Sequence, residues 1–287
     1  MVDMVEKSGS YVQLPNRGVL RLAGDDRVQF LQGLVSNDVA AIAPGRAVYA
    51  CLLTPQGKFL HDFFLVADGD SLLIECEADR RADLLRRLKT FKLRSRVDLG
   101  DATEAYAAFV ALGSMPEGGI VYADPRAAEL GHRLLFPARS VPEGLSSASF
   151  ETYDRLRIAA AAPDGSRDME EGKSTLLESN IDLLNGISWD KGCYMGQELT
   201  ARTRYRGLIK KRLVPVRITG AAPARGAVLV EAGKEVGEMR SAAGDLGLAL
   251  LRLDRVRDGG AIRTDTATLV PEPPARLAAI LAETADA

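Results

Sequence analysis

The strongest constraint on the fold lies near the C-terminal end of the chain. Beyond Leu213 the apolar runs at residues 214–218, 227–230, 236–239 and 246–253 are short, and glycines and charged turns separate them. Runs of that length bounded by turn signals read as strands rather than helices. Several in succession predict a small all-β barrel or sandwich. A boundary is expected near residues 207–211, which divides the chain into a region 1–205 and a barrel domain 206–287. The tail after Pro271, rich in Pro and Ala, is expected to be a strand plus a frayed end.

The region before the barrel mixes both periodicities. Residues 19–22 read as a strand, followed by Gly24 and two aspartates, either of which can cap a helix running to Val35 with Val28, Leu31 and Val35 on one face. Residues 49–53 and 59–66 are strand-like runs bounded by the turns 55–57 and 68–70, which suggests an antiparallel meander. Residues 79–91 form an amphipathic helix with Leu84, Leu85, Leu88 and Phe91 as its buried stripe. Leu93, Ser95, Val97 and Leu99 then alternate with polar residues, as a strand would. Residues 150–162 are a further helix, ended by Pro163-Asp164-Gly165. The region is expected to form two interleaved α+β lobes.

Composition narrows the function classes. The 287 residues are 46% hydrophobic and 26% charged, with a net charge of −2. That is an ordinary globular balance, and it favours neither a dedicated nucleic-acid binder nor a membrane protein. The three cysteines, Cys51, Cys76 and Cys193, are too far apart for a disulfide framework or a closed zinc site. Residues 1–10 lack the basic start and apolar stretch of a secretory leader, so a cytoplasmic location is expected. Cys51 and Cys76 lie in apolar runs and read as core residues. His61, without partners at metal-ligand spacing, reads as a partly exposed strand residue with no role.

One segment concentrates unlike functional groups. Lys191, Gly192, Cys193, Tyr194, Gly196, Gln197 and Glu198 fall within eight positions. The glycines permit close approach of backbone to a ligand or a positive φ. Tyr194 offers an aromatic face and a hydroxyl, and Gln197 and Glu198 offer donors and acceptors for the edge of a heterocycle. An ammonium two positions from a thiol favours the reactive thiolate at Cys193. Seven cations against one acid lie between Lys191 and Arg212, and eight against one between Arg80 and Arg96. A positively charged cavity or face follows as an expectation. Trp189 reads as a core anchor, with cavity lining as the second option.

The run Lys-Gly-Cys-Tyr-Met-Gly-Gln-Glu resembles the signature of the YgfZ family, which includes related mitochondrial iron–sulfur assembly factors. The residues around 30–33, 37–39, 49–58, 177–180 and 201–203 also look like that family. The resemblance implies a ring-like, three-domain α+β architecture shared with the glycine-cleavage T-protein (aminomethyltransferase), closed by a C-terminal β-barrel. It implies tetrahydrofolate or a one-carbon derivative as cofactor. It also implies a role in iron–sulfur cluster assembly or repair, including the clusters of tRNA-modifying enzymes. The expected partners are folate and iron–sulfur client enzymes or assembly machinery, with neither direct nucleic-acid binding nor a membrane. Cys193 is the candidate reactive group, in thiol exchange or as a transient cluster ligand. Lys191 and Arg202 would hold anionic groups, and Tyr194, Gln197, Glu198 and Glu178 would shape the ligand pocket.

The T-protein pattern is incomplete. Its Gly-Gly-x-x-Asp-Asp segment is matched by residues 57–62, where His61 replaces the first acid and Asp62 remains. Its Arg-Leu-Glu-Ala-Gly segment is matched at 157–161, where the acid is Ala159. Both losses argue against glycine cleavage. A folate-dependent one-carbon transferase or demethylase, with Asp62 as its catalytic acid, stands as the alternative.

Overall fold

The computed structural model describes residues 9–283; residues 1–8, most of the stretch read for a secretory leader, and 284–287, the last part of the tail, lie outside the described part. The chain divides into two compact units. The first is built from the described residues up to Leu53, together with Leu60–Tyr153 and Asn185–Met195. The second combines Thr54–Phe59 and Asp154–Leu184 with the described residues from Gly196 onward. The second unit therefore takes in more chain than the barrel expected from residue 206.

The first unit carries two five-stranded sheets. In chain order its elements are β1 (Ser10–Gln13), β2 (Arg17–Ala23), α1 (Arg27–Gln32), β3 (Val48–Leu53), β4 (Phe59–Asp68), β5 (Ser71–Glu77), α2 (Arg81–Phe91), β6 (Asp98–Asp101), β7 (Tyr106–Leu112), β8 (Ile120–Ala123), β9 (His132–Pro137) and β10 (Ser146–Ala148). One sheet runs β3-β4-β5-β2-β6 and the other β10-β1-β7-β9-β8. The meander expected from residues 49–66 is present as β3, β4 and β5, with Phe63 opposite Cys76 and Leu65 opposite Ile74. The first sheet packs its core, including Leu20, Leu22, Leu52, Phe63, Leu65 and Ile74, against Phe30 and Leu31 of α1 and Leu84 and Leu88 of α2.

Several local expectations are corrected. Helix α1 stops at Gln32, and Asp26 does not cap it with its side chain. The carboxylate instead accepts from the backbone N–H of Arg96 at 2.7 Å and from its guanidinium at 3.1 Å. A charged partner outcompetes a cap. Helix α2 buries Leu84 and Leu88, but Phe91 is exposed. Leu93 does not begin a strand: it has φ +44° and is 89% exposed. The strand β6 begins only at Asp98.

The second unit holds α3 (Phe150–Ala159) from Asp154 on, α4 (Gln197–Tyr205), and a six-stranded sheet made by β11 (Lys211–Gly220), β12 (Val228–Glu231), β13 (Lys234–Ala243), β14 (Leu246–Arg252), β15 (Ile262–Arg263) and β16 (Ala267–Pro271). The order is β12-β13-β14-β11-β16-β15, and the edge strands β12 and β15 come back beside each other, so the barrel is nearly closed. Its interior is filled by Val214, Val216, Leu229, Met239, Ala249, Leu251 and Leu269. Alternation along each strand sends these side chains inward. The barrel is finished by α5 (Leu253–Asp258) and α6 (Ala275–Glu283). The expected C-terminal strand is thus a helix: after Pro274, Leu277 and Leu281 return to the core at helical spacing. Among the described residues no helix is long and apolar enough to cross a membrane.

Candidate functional site

The part of the signature that belongs to the first unit, residues 191–195, is a loop stitched to the turn that follows α1. Ser36 donates its hydroxyl to the carbonyl of Gly186 at 2.6 Å, and Ser188 donates its N–H to the carbonyl of Ser36 at 3.0 Å. Met195 donates its N–H to the carbonyl of Gly33 at 3.3 Å. Lys191 closes the arrangement. Its ammonium donates to the carbonyls of Val35 at 2.9 Å and Asn37 at 2.6 Å. Burial pulls its pKa down to about 8. The Lys191 Nζ also lies 5.4 Å from the ring centroid of Tyr194, which is buried. Lys191 therefore anchors the loop from within.

Cys193 is exposed, next to an exposed Gly192. The other two thiols are the core residues that the apolar runs predict. Burial pushes Cys51 well above the ordinary thiol range and Cys76 up to about 12, which keeps both protonated and inert. Among the described residues no group of three or more His, Cys, Asp or Glu is arranged to hold a metal ion.

A cavity of about 590 Å³ opens beside this loop, within the first unit. Its lining includes Trp189, Tyr49, Asn37, Asp38, Arg46 and Asp190. Trp189 is thus a cavity wall, the option ranked second from sequence. The lining holds one cation, Arg46, and two acids, so the cavity does not have the positive lining that was expected. The cations counted in the sequence go elsewhere. Arg212 is buried and forks onto Asp182 in the second unit at 2.9 and 2.8 Å. Lys211 pairs with Glu235, and Arg202, Arg204 and Arg206 are exposed.

Asp62 lies one layer behind this cavity. It is buried, and its Oδ2 accepts from the hydroxyl of Tyr49 at 3.0 Å. Its neighbour His61 is also buried, which corrects the expectation of a partly exposed residue. Alternation along β4 turns His61 the other way, where its Nε2 meets Asp83 Oδ2 at 2.9 Å. Burial lowers its pKa to about 4, with Arg80 adding to the effect and Asp83 opposing it.

The remaining predicted residues belong to the second unit. Gln197 and Glu198 start α4, where Glu198 is an exposed first-turn acid, favourable at the positive end of a helix. Arg202 lies exposed on the last turn of the same helix. Glu178 accepts from the hydroxyl of Thr175 at 2.7 Å. Gly196 has φ +83°, and a Cβ there would lie 2.6 Å from the carbonyl oxygen of Thr54 and 2.9 Å from Cα of Gly57. The second glycine of the signature is therefore demanded by packing. Gly192 has no such contact: nothing lies within 4 Å of the position of its missing Cβ.

Sequence reasoning missed a knot of buried charge in the first unit. Glu75 accepts from Arg17 Nε at 3.0 Å, Arg133 Nε at 3.0 Å and the Tyr122 hydroxyl at 2.7 Å. Arg126 forks onto Asp124 at 3.0 and 2.7 Å and donates to the Tyr153 hydroxyl at 2.7 Å. Its guanidinium lies 5.5 Å from the Tyr49 ring centroid, so the knot backs the wall of the cavity. The one available signal was charged residues inside apolar runs, such as Glu75 among Leu72, Leu73, Ile74 and Cys76.

Comparison with known proteins places the chain. Residues 210–278 match the CAF17 C-terminal β-barrel domain family. The mitochondrial iron–sulfur cluster assembly factor IBA57 of Mus musculus is 32% identical over 90% of this chain and 82% of its own length. Its Homo sapiens counterpart is 35% identical over 85% and 78%. The crystal structure of the glycine cleavage system aminomethyltransferase T from Bartonella henselae superposes with a TM-score of 0.74 at 13% identity, covering 94% of this chain and 86% of that one. At that identity the likeness shows the fold, which is the T-protein fold expected. The cytoplasmic location is overturned, because these relatives are named mitochondrial. With relatives this similar over most of its length, the chain belongs to the IBA57 family of iron–sulfur cluster assembly factors.

Proposed function

We propose that this protein supports the assembly or repair of iron–sulfur proteins, with Cys193 as the group it presents to a cluster or to a client thiol. The observation that carries the reading is the exposure of Cys193 on a loop pinned from beneath by Lys191. An exposed thiol flanked by a glycine that the fold does not require is open to a large partner. Clusters are commonly held by four thiolates, and the other two cysteines here are buried. A cluster met at Cys193 would take its remaining ligands from another protein, as a transfer or repair step requires.

The cavity beside the loop supports tetrahydrofolate or a one-carbon derivative as the cofactor. Its volume is in the range of small-molecule sites. Trp189 offers a flat aromatic wall, Asp38 and Asp190 offer acceptors for the amino and ring N–H groups of a pterin, and Arg46 offers a cation for the glutamate carboxylates. The folate, when bound, would supply one-carbon chemistry; the residues here would bind and orient it. Enzymes that modify tRNA fall among the clients under this reading.

Two experiments test it. A Cys193→Ala protein should fail to restore iron–sulfur enzyme activity in a strain lacking the chromosomal copy; full restoration removes the role of the thiol. Calorimetry with tetrahydrofolate should show binding that Trp189→Ala weakens at least about tenfold, since losing an aromatic wall removes more than 1.4 kcal/mol. Equal heats for both proteins remove the cavity as the folate site. Methylene-tetrahydrofolate formed from an aminomethyl donor, whose carbon is already at the formaldehyde level, with release of ammonia, would instead support the transferase alternative, which the aminomethyltransferase fold keeps in view.

A further inference from the structure

A second surface of the first unit has no place in that reading. A groove of about 720 Å³ runs between α1 and the end of α2, lined by Phe30 and Leu34 on one side and by Phe91, Leu93 and Arg94 on the other. Its apolar character is exposed: Phe91 is 39% and Leu93 89% accessible. Leu93 is also held at φ +44°, a left-handed conformation that follows many helices and is normally taken by Gly or Asn. The fold gains nothing from a leucine there. It bears the backbone strain and buries almost none of the side chain.

The charge left without an ion-pair partner beside the groove is positive. The acid in its lining, Asp26, is already engaged by Arg96. On α2, Asp83 is clamped by Arg86 and Arg87. Lys89, Lys92 and Arg94 make no ion pair among the described residues, and Lys89 and Arg94 are exposed. Cations near a helix C-terminus are favourable, which accounts for their presence but not for Leu93 between them.

We propose that this groove docks a protein partner through an acidic segment that carries a large apolar side chain. The apolar residue covers Leu93 and Phe91 and enters between Phe30 and Leu34. The acids meet Arg94, which lines the groove, and Lys92, its near neighbour along the chain. Helix α1 also links the groove to the signature, because the carbonyl of Gly33, just past its end, accepts from Met195. A partner seated here is therefore bound to the element that carries the Cys193 loop. Nucleic acid would use the cations but not an aliphatic rim, since its affinity rests on phosphates and base stacking.

The test uses the full chain and a labelled probe peptide, acetyl-Glu-Glu-Leu-Phe-Glu-Glu-amide, followed by fluorescence anisotropy. The peptide should bind with a salt-sensitive affinity. Replacing its Leu and Phe by Ala should weaken binding about tenfold or more, as should Leu93→Ser and Arg94→Glu in the protein. Both protein positions are exposed, and circular dichroism confirms that the variants fold. The proposal is overturned if the Ala peptide binds equally well, or if Leu93→Ser binds like the wild type. It is also overturned if tRNA binds more tightly than the peptide and Leu93→Ser leaves that binding unchanged. Sedimentation showing a wild-type dimer that Leu93→Ser dissociates would assign the groove to a second copy and overturn it as well.

Discussion

The ammonium of Lys191 lies 2.6 Å from the carbonyl oxygen of Asn37, across 154 residues of sequence. With the second contact to Val35, that bond fixes the signature loop to the turn after α1. Lys191→Met keeps the bulk of the side chain but leaves two carbonyls without their donor. Losing such a charged hydrogen bond should cost about 2 kcal/mol in chemical denaturation. Hydrogen exchange at the amides of Ser188 and Met195 should accelerate. Unchanged exchange at both would mean that the loop is held by something other than this lysine.

Glu75 makes the first unit sensitive to acid. Burial alone would raise its pKa, but Arg133 and Arg17 outweigh it and hold the carboxyl near about 2. A carboxyl with a depressed folded pKa contributes stability that is complete above its unfolded value and is lost as pH falls toward the folded one. The loss should therefore run from about pH 4.5 down to about 2. Glu75→Gln should remove that acid limb, and at neutral pH it should destabilise by about 3–5 kcal/mol because two buried guanidiniums lose their counter-charge. A variant with the same acid limb as wild type would assign the limb to other groups.

His61 titrates in a different window. Its folded pKa of about 4 lies below the unfolded value of 6.5, so the unfolded chain binds the proton first. Stability should be complete above pH 6.5 and fall as pH drops toward about 4. The full linkage is at most about 3 kcal/mol. His61→Gln should flatten that stretch, and the imidazole signals should titrate near pH 4 in NMR. Titration near 6.5 would show that Asp83 outweighs burial.

The two glycines of the signature should respond in opposite ways. Gly196→Ala places a Cβ against backbone atoms of Thr54 and Gly57 at a positive φ. It should destabilise by about 1–3 kcal/mol. Gly192→Ala meets nothing within 4 Å and should leave the melting temperature unchanged. Bulkier residues at 192 should still fold, yet lower iron–sulfur enzyme activity in complemented cells. A Gly192→Phe protein with full activity would show that open space around Cys193 is not needed.

What could be read from sequence was what local pattern encodes. The barrel strands β11 to β14 appear as short apolar runs between turns, and the signature sits in one contiguous stretch. Cys51 and Cys76 announce their burial through apolar neighbours. The signals that failed are non-local. Asp26 reads as a helix cap until Arg96, seventy positions away, claims its carboxylate. Arg212 counts as a cation for a ligand until the fold gives it Asp182. Trp189 could not be assigned to a wall without knowing that Tyr49 and Arg46 stand with it. Leu93 continues an apolar alternation on paper, and only its backbone angle shows that the strand has not begun.

The knot around Glu75 also restricts how this unit can change over time. Arg17, Arg133 and Tyr122 all converge on one carboxylate, so replacing Glu75 takes the shared acceptor from three buried donors at once. Glu75 is therefore the member least open to one-step substitution. The members should be inherited or exchanged together, as a linked allele within the chain, while the residues outside the knot drift one at a time.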